Sequence, residues 1–190
     1  MSENESARDL VPVAAERFSE AVHGVPSDRW DAPTPCSDWS VRDLVDHLVG
    51  EHLWAPPLLA GGTIEEVGDR FDGDLLGDDP VGAWDEAMAG SLPAFAAVTD
   101  DSPAHLSFGT VPVDEYASQM LVDLTVHAWD LARGAGLPEN LDPRTVARSL
   151  DYARLRAGVY ASSGLFAPPV ETGSTEPQDV LLGLLGRDPR

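Results

Sequence analysis

The sequence predicts an all-α protein organised as one domain over residues 1–190: an antiparallel four-helix bundle with additional short helices and loops. Three observations lead there. Apolar residues recur near the 3.6-residue helical period in several long segments. Those segments open on capping residues: Ser40, Asp79 before Pro80, and Asp142 before Pro143. Alternating strand patterns are sparse, and no internal repeat or heptad run occurs. With 190 residues at 43% hydrophobic, the chain can bury a sizeable core without disulfides, and its single cysteine, Cys36, could not form one within the chain.

The first helix is expected over residues 5–23, where Leu10, Val13, Ala14, Phe18 and Val22 share a face. Pro26, Pro33 and Pro35 then mark a turn-rich connection. Ser40, with Asp43 three residues on, caps a second helix over 41–59 that stops at Gly61-Gly62. Pro56 and Pro57 are expected to kink it or end it early. The acidic, glycine-rich stretch 61–77 reads as a loop. A third helix follows from Pro80 to about residue 98, and 104–111 reads as a connecting loop or one short strand. The fourth helix is expected over 113–133, ending at Gly134, and the fifth from Pro143 to about residue 157. The tail, 162–190, is rich in Pro and Gly, with one short apolar stretch at 180–185.

Twelve basic residues, all Arg, face 33 acidic ones, for a net charge of -21. Such a field repels phosphate backbones and anionic lipid, so neither nucleic acid nor membrane is an expected partner. No apolar run approaches the roughly 18 residues that a bilayer span needs. MSENESARDL lacks the basic start and apolar core of a secretory signal, which makes a cytoplasmic location the expectation.

The fourth helix carries the chemistry. Tyr116, Met120, Asp123, His127 and Leu131 form one continuous stripe, and two of its members are a carboxylate and an imidazole. An ionised Asp among apolar neighbours needs a partner. At i and i+4, Asp123 and His127 suit two ligands of one metal ion, or a hydrogen bond that merely satisfies both in the core. A third ligand would come from His47, His52, His105 or His23. Periodicity slightly favours His52, which is centred on the stripe of Val41, Leu44, Val45 and Leu48. His47 lies on its flank, aligned with Asp43, Glu51 and Trp54. The residues alone leave both open. Asp130 can orient the His127 imidazole or, in the commoner arrangement, pair with Arg133. Trp54 and Trp129 read as packing or as a pocket mouth, and Cys36 as structural.

Two segments, SDWSVRDLVDHLVGEHLW and DLTVHAWDLARGAG, resemble the DinB/YfiT-like superfamily of metal-binding four-helix bundles. More narrowly they resemble its actinobacterial branch, related to the N-terminal domain of mycothiol-dependent maleylpyruvate isomerase. FGTVPVDEYASQM and the ending PQDVLLGLLGRDP fit the same branch, so the resemblance covers nearly the whole chain. Carried over by position, it implies a metal site at His47, in the leucine-flanked DHL, with Asp123 and His127. Many members have His or Glu where this chain has Asp123. On this reading His52 is a core residue or one that supports a ligand from behind, and His105 an exposed loop residue.

Three protein ligands leave a coordination position open, whereas structural zinc sites are closed by four. The resemblance therefore implies a catalytic or ligand-binding divalent ion, zinc first, with nickel or iron as alternatives. The chemistry implied is a metal-dependent thiol transferase or isomerase, with mycothiol activated as a thiolate. A small thiol and a small electrophile are the expected partners, and a homodimer is the candidate assembly. The complete isomerase has a separate C-terminal domain, whereas about 30 residues follow the last predicted helix, so isomerisation of maleylpyruvate itself is not expected. The alternative is a non-catalytic metal-binding or sensing module.

Overall fold

The computed structural model describes residues 5–164 and 166–190, with backbone alone at 161–163; residues 1–4, part of the segment read above as no secretory signal, lie outside the description. Capping boxes open the first two long helices. Ser6 and Asp9 bond reciprocally ahead of α1 (Ala7–Gly24), and Ser40 and Asp43 do the same for α2 (Val41–Leu59). Thr63 and Glu66 repeat the device before the single-turn α3 (Ile64–Val67), a short helix where glycines and acids predict only loop. Asp79-Pro80 opens α4 (Pro80–Ala96). The strands β1 (Pro103–Leu106) and β2 (Gly109–Pro112) pair antiparallel, with Leu106 opposite Gly109. The helices α5 (Val113–Ala135), α6 (Pro143–Ser163) and α7 (Pro177–Leu184) complete the chain.

The fold is a helical bundle. α1 packs on α5 and α4, and α2 packs on the same two, so α1, α5, α2 and α4 close a ring. Phe18, Leu44, Leu48, Trp84, Phe95 and Leu124 fill its centre. A second apolar cluster joins Val122, Val126 and Trp129 of α5 to Val146 and Leu150 of α6 and Leu181, Leu182 and Leu185 of the tail. α5 is therefore buried around nearly its whole circumference over its middle turns, and a charged group buried there, such as Asp130, must find a partner inside. Among the described residues, no helix is long and apolar enough to cross a membrane.

Several elements differ from the sequence reading. α2 runs through Pro56 and Pro57 to Leu59, although each proline gives up its own amide bond to the carbonyl four residues back. The amides of Ala60 and Gly62 close onto their carbonyls at 3.0 and 2.9 Å. α5 passes Gly134 and stops at Gly136, which takes the left-handed conformation at φ 75°. Gly134 serves packing instead: a Cβ there would lie 3.0 Å from the Thr34 methyl and 3.1 Å from the Pro33 carbonyl oxygen. Its bare Cα lets the turn before α2 press onto α5. α6 continues through Gly158 to Ser163 and stops at Gly164, which takes the left-handed conformation at φ 72°. Residues 103–112 form two strands rather than at most one, and the apolar tail stretch is the helix α7.

Candidate metal centre

Where α2 and α5 meet, three side chains converge. His47 lies in the second turn of α2, and Asp123 and His127 stand one turn apart on α5. His47 Nε2 donates to Asp123 Oδ2 at 2.8 Å, and His127 Nε2 lies 3.3 Å from Asp123 Oδ1. One ligand atom from each falls within 4.8 Å of the other two, and among the described residues no other group of His, Cys, Asp or Glu does this. The Asp123 and His47 side chains are 23% and 27% exposed and His127 only 5%, so the cluster is sealed beneath and open on one side. The Trp39 ring lies beside both imidazoles, 4.6 Å from His47 and 5.5 Å from His127 between centroids.

Behind the cluster is a buried relay. His127 Nδ1 donates to Asp130 Oδ2 at 3.0 Å, and Arg187 Nη2 donates to the same oxygen at 2.7 Å. Asp130 is fully buried and Arg187 nearly so, with its Nη1 also on the Leu185 carbonyl. This corrects the expected pairing of Asp130 with Arg133. Arg133 turns to Glu139 at 2.8 Å and lies over Trp129, while the tail brings Arg187 to Asp130. Fixing Nδ1 leaves Nε2 of His127 as the nitrogen that faces the cluster.

The charges are strongly coupled. Burial disfavours the His127 imidazolium, but Asp123 and Asp130 outweigh it and raise its pKa to about 9. Burial works equally against an ionised Asp123, and the two imidazoles reverse that, holding it well below the usual carboxylate range. Burial also opposes ionised Asp130, and His127 and Arg187 keep it charged.

The remaining histidines lie elsewhere. His52 is fully buried in the main core, its Nδ1 bonded to the Ser91 hydroxyl and its ring edge-on to Trp84. Burial pushes its pKa down to about 4, so it stays neutral. His105 is half-buried on β1, not in a loop, with Nδ1 2.9 Å from the Thr110 hydroxyl. His23 pairs with Asp85 at the surface. Cys36 is half-buried within electrostatic reach of Arg187, Asp130 and Asp123, and burial pushes its thiol up.

A cavity of about 250 Å³ opens one turn along α2 and α5 from the cluster, with Glu51, Trp54 and Tyr116 in its wall. A larger groove of about 800 Å³, between α1 and the turn after α5, lies away from all three donors.

Residues 11–132 match the family model of the mycothiol maleylpyruvate isomerase N-terminal domain. The chain belongs to that family. Two uncharacterized proteins from two strains of Mycobacterium tuberculosis are 31% identical to it over 150 residues, covering 76% of this chain and 76% of each relative. No solved structure matches. In this member of the isomerase N-terminal domain family, the matched span contains His47, Asp123, His127 and Asp130 but ends before α6. Arg187 therefore reaches the relay from outside the span. Sequence reasoning missed both Arg187 and Trp39, although each stands in a motif that carried the resemblance.

Proposed function

We propose that this protein is a metal-dependent thiol transferase or isomerase that uses mycothiol, with one divalent ion, zinc in the first instance, held by His47, Asp123 and His127. The observation that carries this is the convergence of three donors from two helices, one of them oriented from behind by Asp130. Two imidazoles and one carboxylate suit zinc, nickel or ferrous iron. When bound, such an ion supplies Lewis acidity that lowers a thiol's pKa and presents it as a thiolate.

The chain's own residues prepare for this. Asp123 brings the only negative charge among the three donors, so the site does not repel a thiolate as four cysteines would. His127 must give up its Nε2 proton to become a ligand, while Asp130 keeps the Nδ1 proton and with it the ring's orientation. Trp39 covers one side of both imidazoles and limits water there. The rival reading, a module without turnover, would be favoured by a fourth protein donor, and among the described residues none completes the set.

Calorimetric titration of mycothiol into zinc-loaded and metal-stripped protein tests the proposal. Binding and proton release are expected only with zinc; neither appearing leaves the non-catalytic module as the better account. The pH dependence follows from His127. Because its imidazolium persists to about pH 9, zinc binding below that displaces its proton. Apparent zinc affinity is expected to rise about tenfold per pH unit from about pH 6.5 toward 9 for this one proton. In the metal-free protein the raised pKa contributes stability that is complete below the unfolded value of about 6.5 and lost as pH rises through about 9. A zinc affinity independent of pH over this window would contradict the assignment of His127.

A further inference from the structure

The cavity beside the cluster has a chemistry of its own. Glu51 follows His47 by four residues, and Gln119 precedes Asp123 by four, so the cavity is displaced from the donors by about 6 Å along both helices. Trp54, Leu106 and Phe108 give it apolar walls, and Phe108 stands 64% exposed at the hairpin tip.

Three features point to a ligand. The Tyr116 hydroxyl is buried without a hydrogen-bond partner among the described residues, an arrangement that a bound polar atom would relieve. The Glu51 carboxylate has no hydrogen bond or ion pair among the described residues. Burial, reinforced by Asp123, raises its pKa to about 7. Finally, among the described residues no cation lines the cavity. The nearby Arg156 is committed to Glu115, which also accepts from Tyr152 and Gln119. A carboxylate entering here would meet Glu51 with Asp123 behind it, and the two imidazoles within electrostatic reach, His47 and His127, are already paired with Asp123.

We propose that this cavity receives the electrophilic substrate as a small uncharged molecule, with an apolar body against Trp54 and Phe108 and a hydrogen-bonding head on Glu51 and Tyr116, and that it excludes carboxylates. Its role as the electrophile pocket rests on the thiol-activating reading of the three donors; its ligand preference does not. Glu51 serves as donor when protonated and acceptor when ionised, so carbonyl and amide heads both fit.

The test is binding of benzamide and benzoate at pH 8, followed by tryptophan fluorescence and calorimetry, in the full chain as purified and after chelation. Metal content is measured in parallel. Benzamide is expected to bind at least about tenfold more tightly than benzoate to the chelated chain. Glu51→Gln should retain benzamide binding, which reports an intact cavity, and bring benzoate within about threefold. Tyr116→Phe should weaken benzamide several-fold. Equal binding of the two probes to the chelated wild-type chain, no binding of either, or a preference that survives Glu51→Gln overturns the proposal. A chain that holds no metal yet keeps the preference refutes the thiol reading alone. A chain that binds metal and thiol but shows no preference refutes the cavity alone.

Discussion

Asp123→Ala is expected to lower zinc affinity by more than the 10- to 100-fold, roughly, that loss of an orienting partner costs, because it removes a donor outright. The carboxylate bridges both imidazoles, at 2.8 Å from His47 and 3.3 Å from His127. Without it, two nitrogen donors remain on different helices with nothing to hold them together. His127→Ala should have an effect of similar size, and Asp123→Asn, which keeps the shape but not the charge, a smaller one. His52→Ala supplies the contrast. It removes a fully buried ring packed on Trp84, so it should destabilise the fold while leaving metal content unchanged. Competition with a chromophoric chelator gives the affinities, and urea denaturation of the stripped proteins gives the stabilities. Metal retained by Asp123→Ala and lost by His52→Ala would reverse the assignment.

Arg187→Met is expected to have the largest effect of any change outside the three donors. Asp130 would then lie at full burial with only His127 to balance it. Breaking a buried pair in this way typically costs about 3–5 kcal/mol, because a charge is left uncompensated. The looser imidazole should also weaken zinc binding by about 10- to 100-fold. Adding Asp130→Asn to Arg187→Met removes the orphaned charge while keeping an acceptor for His127 Nδ1, so the double variant should be more stable than Arg187→Met alone. Urea denaturation and chelator competition check both halves. An Arg187→Met protein with wild-type stability and affinity would show that the relay does not support the site.

The long helices were legible because their signals are local and contiguous, as in Ser40 with Asp43 or Asp142 with Pro143. α3 and the two four-residue strands were not, since a period needs more length than they have. Gly134 and Gly136 look alike in sequence, and only the nearby Pro33 and Thr34 reveal which is packing and which is the stop. At the site, Asp123 and His127 were readable as an i, i+4 pair on one helix. His47 was not, because it sits on the flank of the α2 stripe, whereas the centre of that stripe marks a core residue such as His52. Only the resemblance selected His47. Arg187 lies 57 residues from Asp130, just past the short apolar stretch of the tail, where no local pattern signals a buried cation.

Because Arg187 reaches His127 through Asp130, the tail and the open side of the cluster belong to one thermodynamic cycle. Coupling between two sites is reciprocal: whatever the relay adds to metal affinity, metal returns to the docking of α7 and the residues after it. On the proposed metal site, that segment is expected to report occupancy, docked more firmly in the loaded protein than in the stripped one. A ligand that gripped α7 in its lifted state would expel the ion without touching a donor.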